Sequence, residues 1–276
     1  MKKAELIEKE REKERARDFH THVKEPCYDR VLPVPHDYDY TRKGFWNRVG
    51  SFFAVGIFRL AGLFIGPFCR FRIEGRKNLR HVGAAVLTSN HINDIDCVLI
   101  RKAVGGRRLR ITVADFNNRK GVFGAMLRAG GTMPFGTSAA SFANLSRALS
   151  QYLSGDYLVL FYPEGALWWC YEKPRPLLDG AFYCARKNNV PIVPMFFTFK
   201  PLGRRRDGTE RKRFTLHIGA PIYPDLSLPV GRDVARLRDL TYRFNVETYR
   251  KAYGKDPEYL PQEPAGEEMP MAVGEP

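Results

Sequence analysis

The chain is punctuated by short apolar runs at residues 71–74, 84–88, 110–114, 157–161, 192–199 and 214–218, each about the length of a strand. Between them the apolar positions change to helical spacing, near 95–103, 119–129, 141–153 and 177–188, and a last helical pattern covers 232–251. Ala85-Val86-Leu87 and Leu158-Val159-Leu160-Phe161 are apolar without alternation, as strands covered on both faces are. Strands alternating with helices predict an α/β domain built on a mixed, largely parallel sheet flanked by helices. Asp207-Gly208, between the last two runs, is a hairpin signal and predicts that this pair is antiparallel. Pro191 and Pro194 suit the opening of a strand rather than the middle of a ladder.

Upstream, 49–69 is the longest apolar stretch, with Arg59 at its middle. Carrying that arginine into a bilayer centre costs about 2.5–3.5 kcal/mol on insertion scales, which argues against a true span. Arg48 and Arg59 fall on nearly one helical face, with Ser51, Gly62 and Gly66 close to it. The pattern reads as a helix over 45–69 lying in a membrane surface, arginines toward headgroups. Burial against the domain is the competing reading, and Pro67 is expected to end the helix. Residues 1–44 read as a charged and irregular segment: 2–17 form a solvated helix without a core face, and 26–40 a Pro-rich, aromatic wrap. The α/β domain covers 70–255. The tail, 256–276, is expected to be disordered.

Charge narrows the possible partners. Lys and Arg number 45 against 30 Asp and Glu, a net charge of +15. Such an excess implies an anionic partner: nucleic acid, anionic lipid or a phosphorylated substrate. Six basic residues flank the hairpin turn (Arg204, Arg205, Arg206, Arg211, Lys212, Arg213), each worth about 1 kcal/mol near an anionic bilayer. Cysteines 27, 69, 97, 170 and 184 have no C-x-x-C or ligand spacing, so reduced thiols and no metal are expected. The first 44 residues contain no apolar segment of the secretory kind, which predicts a cytoplasmic setting.

Candidate chemistry lies at two strand ends. Ser89-Asn90-His91-Ile92-Asn93-Asp94-Ile95-Asp96 follows the run at 84–88 and presents a histidine with an aspartate five positions on. Ligands of open α/β sheets bind at the carboxyl ends of strands. Imidazole moves protons near neutral pH, and a carboxylate behind it fixes its tautomer. The competing reading is a helix cap at Asn93 or Asp94 with His91 solvated. The second strand end supplies Tyr162-Pro163-Glu164-Gly165, a carboxylate followed by a glycine that permits close backbone approach. Cys97 reads as core and His217 as a solvent contact. Trp168, Trp169 and Tyr171 read as a lipid interface or as core or lid packing.

The ordered set, N-H-x-x-x-x-D, then F-P-E-G with one insertion, then V-P-I-V-P, resembles the PlsC-like glycerolipid acyltransferases, which include the 1-acylglycerol-3-phosphate acyltransferases. Asn90, His91 and Asp96 match the first block. Phe161, Pro163, Glu164 and Gly165 match the third, with Tyr162 inserted, and Gly180-Ala181-Phe182 with 190–194 looks like the fourth. The resemblance implies transfer of a fatty acyl group to the hydroxyl of a lysophospholipid-type acceptor, such as 1-acylglycerol-3-phosphate, in phospholipid synthesis. The donor would be a coenzyme A or acyl carrier protein thioester, with no bound cofactor. It further implies His91 as general base, Asp96 as its orienting acid, and Asn90, Glu164 and Gly165 in substrate binding. The setting would be peripheral or monotopic, on an anionic surface at the cytoplasmic face of the cell membrane.

Two of the family's arginines, thought to hold the acceptor's phosphate, are missing. Thr137 follows Gly136, and Ala166-Leu167-Trp168 follows Gly165. Lys173 and Arg175 are the candidate replacements, with Arg119 and Lys120 behind them. The missing arginines leave room for an acyltransferase with a different lipid acceptor. A nucleic-acid-binding protein would explain the charge but neither the His/Asp pair nor the apolar helix, and no helix-turn-helix, zinc-finger or RNP signature is present, so no nucleic-acid partner is expected.

Overall fold

The computed structural model describes residues 3–204 and 210–262. Among these, seven strands form one sheet: β1 (Arg72–Glu74), β2 (Ala85–Thr88), β3 (Leu109–Val113), β4 (Thr132–Pro134), β5 (Leu158–Phe161), β6 (Ile192–Arg204) and β7 (Glu210–Ile218). Their order is β1-β7-β6-β2-β5-β3-β4. Every neighbouring pair is parallel except β6 and β7, which are antiparallel as the turn signal predicted. The Asp207-Gly208 dipeptide itself lies outside the described residues. The short edge strand β4 is an addition to the six predicted runs. The fold class is the mixed, largely parallel α/β arrangement expected from the alternation.

The helices are α1 (Lys3–Arg15), α2 (Phe45–Phe68), α3 (Asp96–Val104), α4 (Gly121–Ala129), α5 (Ala139–Ser154), α6 (Gly180–Asn188) and α7 (Val230–Tyr253). The central strand β2 shows why both faces must be covered. Ala85 and Leu87 point into a core shared with Leu99, Ile100 and Ala103 of α3, whereas Val86 points into a second core with Leu149 of α5, Phe182 of α6 and Leu237 of α7. Side chains alternate across a strand, so a continuous apolar run fills two cores at once.

α2 packs on α3 and α4. Its small residues make this contact: a Cβ at Gly62 would sit 3.5 Å from Lys102 and 3.6 Å from Val98, and the Phe58 ring covers Gly130 of the α4 end. Arg59 donates to the Gly106 carbonyl at 3.1 Å. The opposite side, with Phe52, Phe53, Ile57, Leu60, Leu63 and Phe64, is exposed. By length and composition alone α2 is apolar enough to cross a membrane. Arg59 is thus held by the domain rather than aimed away from it. Pro67 lies in the last turn, one residue before the helix ends.

The N-terminal segment departs from expectation. α1 is docked rather than solvated: Glu10 and Glu14 are buried. Glu14 accepts from Lys173 and, at 2.8 Å, from the Leu260 amide. Phe19 and Val23 enter a third core with Trp168 and Tyr171, against which Leu6 and Tyr259 pack. The start of the expected tail is therefore ordered, with Tyr259 donating to the Pro174 carbonyl and meeting Phe19 edge-on at 5.7 Å. The remainder of that tail, 263–276, lies outside the described residues. The wrap continues across the sheet edge, pairing Leu32 with Asn118 and Tyr40 with Pro134.

Burial pushes the Glu10 carboxyl up to about 7, against the opposing pull of a hydrogen bond from the Trp169 backbone and the charges of Arg175 and Lys212. Between the ordinary carboxylate range and about 7 the folded chain holds this proton and the unfolded chain does not, so stability falls as pH rises through that window. Glu10→Gln should flatten this fall, leaving urea stability little changed at pH ~5 and raising it at pH ~8. Parallel stability–pH curves for both proteins would contradict the assignment.

Candidate active site

Paired in register, β2 and β5 end side by side, Thr88 opposite Phe161. Their following loops are therefore neighbours from the first residue, the Ser89 amide donating to the Phe161 carbonyl at 3.1 Å. Asn90 fixes the first loop to β6: its side chain donates to the Phe197 carbonyl at 3.1 Å and accepts from the Phe197 amide at 2.7 Å. Both ends of the Asn90 amide are thus taken by backbone, and the residue is buried.

The next residue, His91, places Nδ1 2.8 Å from Asp96 Oδ2. The same Asp96 oxygen accepts from the Ile92 and Asn93 amides at 3.2 and 3.4 Å. Asp96 is the first residue of α3, so its carboxylate closes the loop back on the helix start. Asn93 accepts from the Ile95 amide, but neither Asn93 nor Asp94 stands at the helix cap, which is Ile95. The His91 side chain keeps a quarter of its surface open while Asp96 is 1% exposed. A carboxylate acceptor at Nδ1 selects the tautomer with the proton there, leaving the Nε2 lone pair for an incoming donor.

Sequence reasoning missed Tyr162, treated only as an insertion in a motif. Its hydroxyl donates to Asp96 Oδ1 at 2.6 Å, and its ring stacks on the His91 imidazole at 4.1 Å with 19° between planes. Burial, and then the Asp96 charge, drives the phenol well above its ordinary range, so it remains a donor. The signal available in the sequence was its position directly after a strand that pairs with the histidine's strand.

Glu164 is 1% exposed and is turned inward. It accepts from the His91 amide at 3.2 Å, the Arg175 amide at 3.3 Å and Arg175 Nη2 at 2.6 Å. Gly165 is exposed and adopts a left-handed φ of 84°, and a Cβ there would come 3.1 Å from Leu178 and 3.3 Å from the His20 carbonyl. The candidate phosphate ligands are placed differently from expectation. Arg175 is 1% exposed, its guanidinium donating to the carbonyls of Phe19, Ala166 and His91 and lying 4.8 Å over Trp168. Lys173 is held by Glu14 and the Glu258 carbonyl. Both cations are committed to protein partners, because the N-terminal wrap covers the surface they would otherwise face. The same wrap brings His22 to the Phe116 ring, 5.1 Å away. Burial first, then the neighbouring His91, Arg175 and Lys13, holds His22 below the ordinary imidazole range. Lys120 is exposed in the loop after β3, at the same sheet edge.

Of the other residues singled out from sequence, Trp168 and Tyr171 are buried in the third core and Trp169 is exposed. Cys97 packs partly buried against the first core. His217 is not a solvent contact: it lies 3.0 Å from Glu74 and 2.8 Å from Thr198 Oγ1. Removing one partner of a buried ion pair leaves an uncompensated charge, so Arg175→Met should cost about 3–5 kcal/mol in denaturant unfolding. A loss below about 1 kcal/mol would mean that the Glu164 charge is not held by Arg175.

Residues 70–198 match the family model described as Acyltransferase. No curated protein matches the chain. Among solved structures, the fold is similar to the 1-acyl-sn-glycerophosphate (LPA) acyltransferase PlsC from Thermotoga maritima, with a TM-score of 0.50 and 14% identity, covering 76% of this chain and 97% of that one. An acyltransferase domain match thus covers residues 70–198, and it is carried on a fold similar to that of the Thermotoga maritima enzyme.

Proposed function

We propose that the chain transfers a fatty acyl group from a coenzyme A or acyl carrier protein thioester to the hydroxyl of a lysophospholipid-type acceptor at a membrane surface. The observation that carries this reading is the 2.8 Å contact between His91 Nδ1 and Asp96, which leaves Nε2 as a base. Nε2 takes the proton of the acceptor hydroxyl while the hydroxyl oxygen attacks the thioester carbonyl. The tetrahedral intermediate then expels the thiolate, which recovers that proton from the imidazolium. Asp96 stabilises the imidazolium, and Tyr162 holds the second oxygen of Asp96. Glu164 acts through the backbone of His91 rather than on the acceptor. The uncovered apolar face of α2 and the net charge of +15 support a monotopic position on an anionic membrane, which we assign to the cytoplasmic face.

A second reading, an acceptor other than 1-acylglycerol-3-phosphate, gains support from the commitment of Arg175 and Lys173 to the N-terminal wrap. With phosphate-bearing acceptors, Lys120, exposed at this edge, and Arg119, whose Nε donates to the Phe116 carbonyl, would be the cations to bind the phosphate. His91→Ala should lower turnover of a labelled acyl thioester with a lysolipid acceptor about 10²–10⁴-fold with an unchanged melting curve. Turnover equal to that of the parent protein would remove His91 from the mechanism.

A further inference from the structure

At the end of α3 remote from Asp96 lies a cavity of about 380 Å³, lined by Arg76, Lys77, Arg80 and Arg107 around a floor of Leu79, Ala103 and Val104. Four cations converge there from two segments, three from the turn after β1 and Arg107 from the approach to β3, while the end of α3 supplies part of the apolar floor. Like charges gather at a cost, and none of these four makes an ion pair among the described residues. Asp156 is the acid that acts on Arg107, and burial outweighs it, leaving that guanidinium below its ordinary range. One Arg107 nitrogen, Nη2, donates to the Gly83 carbonyl, but Nη1 is buried without a partner. A buried donor without an acceptor is costly, and more so when it is charged. The Arg76 guanidinium lies against Gly105, where a Cβ would come within 3.0 Å of it. The helix end supplies carbonyls rather than amides, so any affinity for an anion here comes from the side chains.

We propose that this cavity takes the phosphate of an anionic phospholipid headgroup and fixes the attitude of the chain on the membrane. The inference rests on the membrane reading above. The lipid source is favoured by position: Arg59 of α2 donates to Gly106, the residue between Gly105 and Arg107, so the cavity borders the helix whose outer face is apolar and uncovered. The volume suits a phosphate with its glycerol and leaves the acyl chains outside.

The test compares the full chain with Arg76→Gln/Arg80→Gln/Arg107→Gln and with a charge-matched control on α7, Arg232→Gln/Arg243→Gln/Lys251→Gln. Sedimentation with phosphatidylcholine vesicles, with and without phosphatidylglycerol, isolates the anionic-lipid increment. The cavity variant should lose that increment by about a hundredfold, keep its binding to neutral vesicles and keep acyl transfer in detergent. Equal loss in the control would overturn a defined site in favour of diffuse attraction. Calorimetry with dihexanoyl phosphatidylglycerol below its micelle concentration reads the cavity without a membrane and should show saturable binding that the cavity variant lacks. No such binding, or saturable binding of coenzyme A there instead, would overturn the proposal. Failure of the parent chain to sediment with any vesicle would remove the membrane reading, and the soluble-lipid arm would still decide the cavity. Should the triple variant melt early, Lys77→Gln/Arg80→Gln keeps the Arg107 bond to Gly83 and is read in the same way.

Discussion

The buried pair of Glu164 and Arg175 is the contact on which the geometry of the site depends. Three segments meet at it: the loop after β2 through the His91 amide and carbonyl, the long loop after β5, which supplies Glu164, Ala166 and Arg175 itself, and the N-terminal segment through Phe19. A buried ion pair of this kind contributes little net stability unless its remaining donors and acceptors are satisfied. Here the guanidinium reaches three carbonyls and a carboxylate and has an aromatic face against it. What the pair supplies is position. His91 is held by its backbone from below and by Asp96 through its ring, so the imidazole has little freedom except at Nε2.

That arrangement explains how far the sequence could be read. The strands were legible because continuous apolar runs in a parallel sheet have few other structural readings, and β2 and β5 show the reason in their two-sided burial. His91 and Asp96 were legible because a polar cluster interrupts such a run at its carboxyl end. β4 was not, since three residues at a sheet edge leave no periodicity to detect. The docking of α1 was hidden for a different reason. Leu6, Glu10 and Glu14 recur every four residues and share one face, but two of the three are acids, and acids signal solvent unless their partners are known. Lys173 and the Leu260 amide, far away in sequence, are those partners. Lys173 and Arg175 were identified as cations near the site, yet only the fold discloses that the wrap has already bound them.

The wrap thereby changes what acceptor recognition can be in this chain. In a resemblance read from motifs alone, missing arginines invite replacements from the nearest free cations. The two nearest are the ones that close the site's own scaffold. In the Pro-Glu-Gly turn the Glu164 side chain is buried and its carbonyl lies 3.0 Å from His20 Nδ1, so only Gly165 remains exposed there. On the proposed function, the neighbouring wall open to the acceptor is the loop after β3, which carries Phe116, Arg119 and Lys120 and meets His22.

α3 joins these considerations mechanically. It begins at the carboxylate that orients His91, packs its side on α2 and ends at the basic cavity. Nine helical residues rise about 13 Å, so the His91–Asp96 pair, the apolar helix α2 and the basic cavity all border one short helix. On the proposed membrane position, an attitude set at α2 would therefore reach the imidazole through α3 alone. For the proposed lysolipid acceptor this coupling would matter, because a hydroxyl held in a bilayer would reach Nε2 only when the depth of the protein and the depth of the lipid agree.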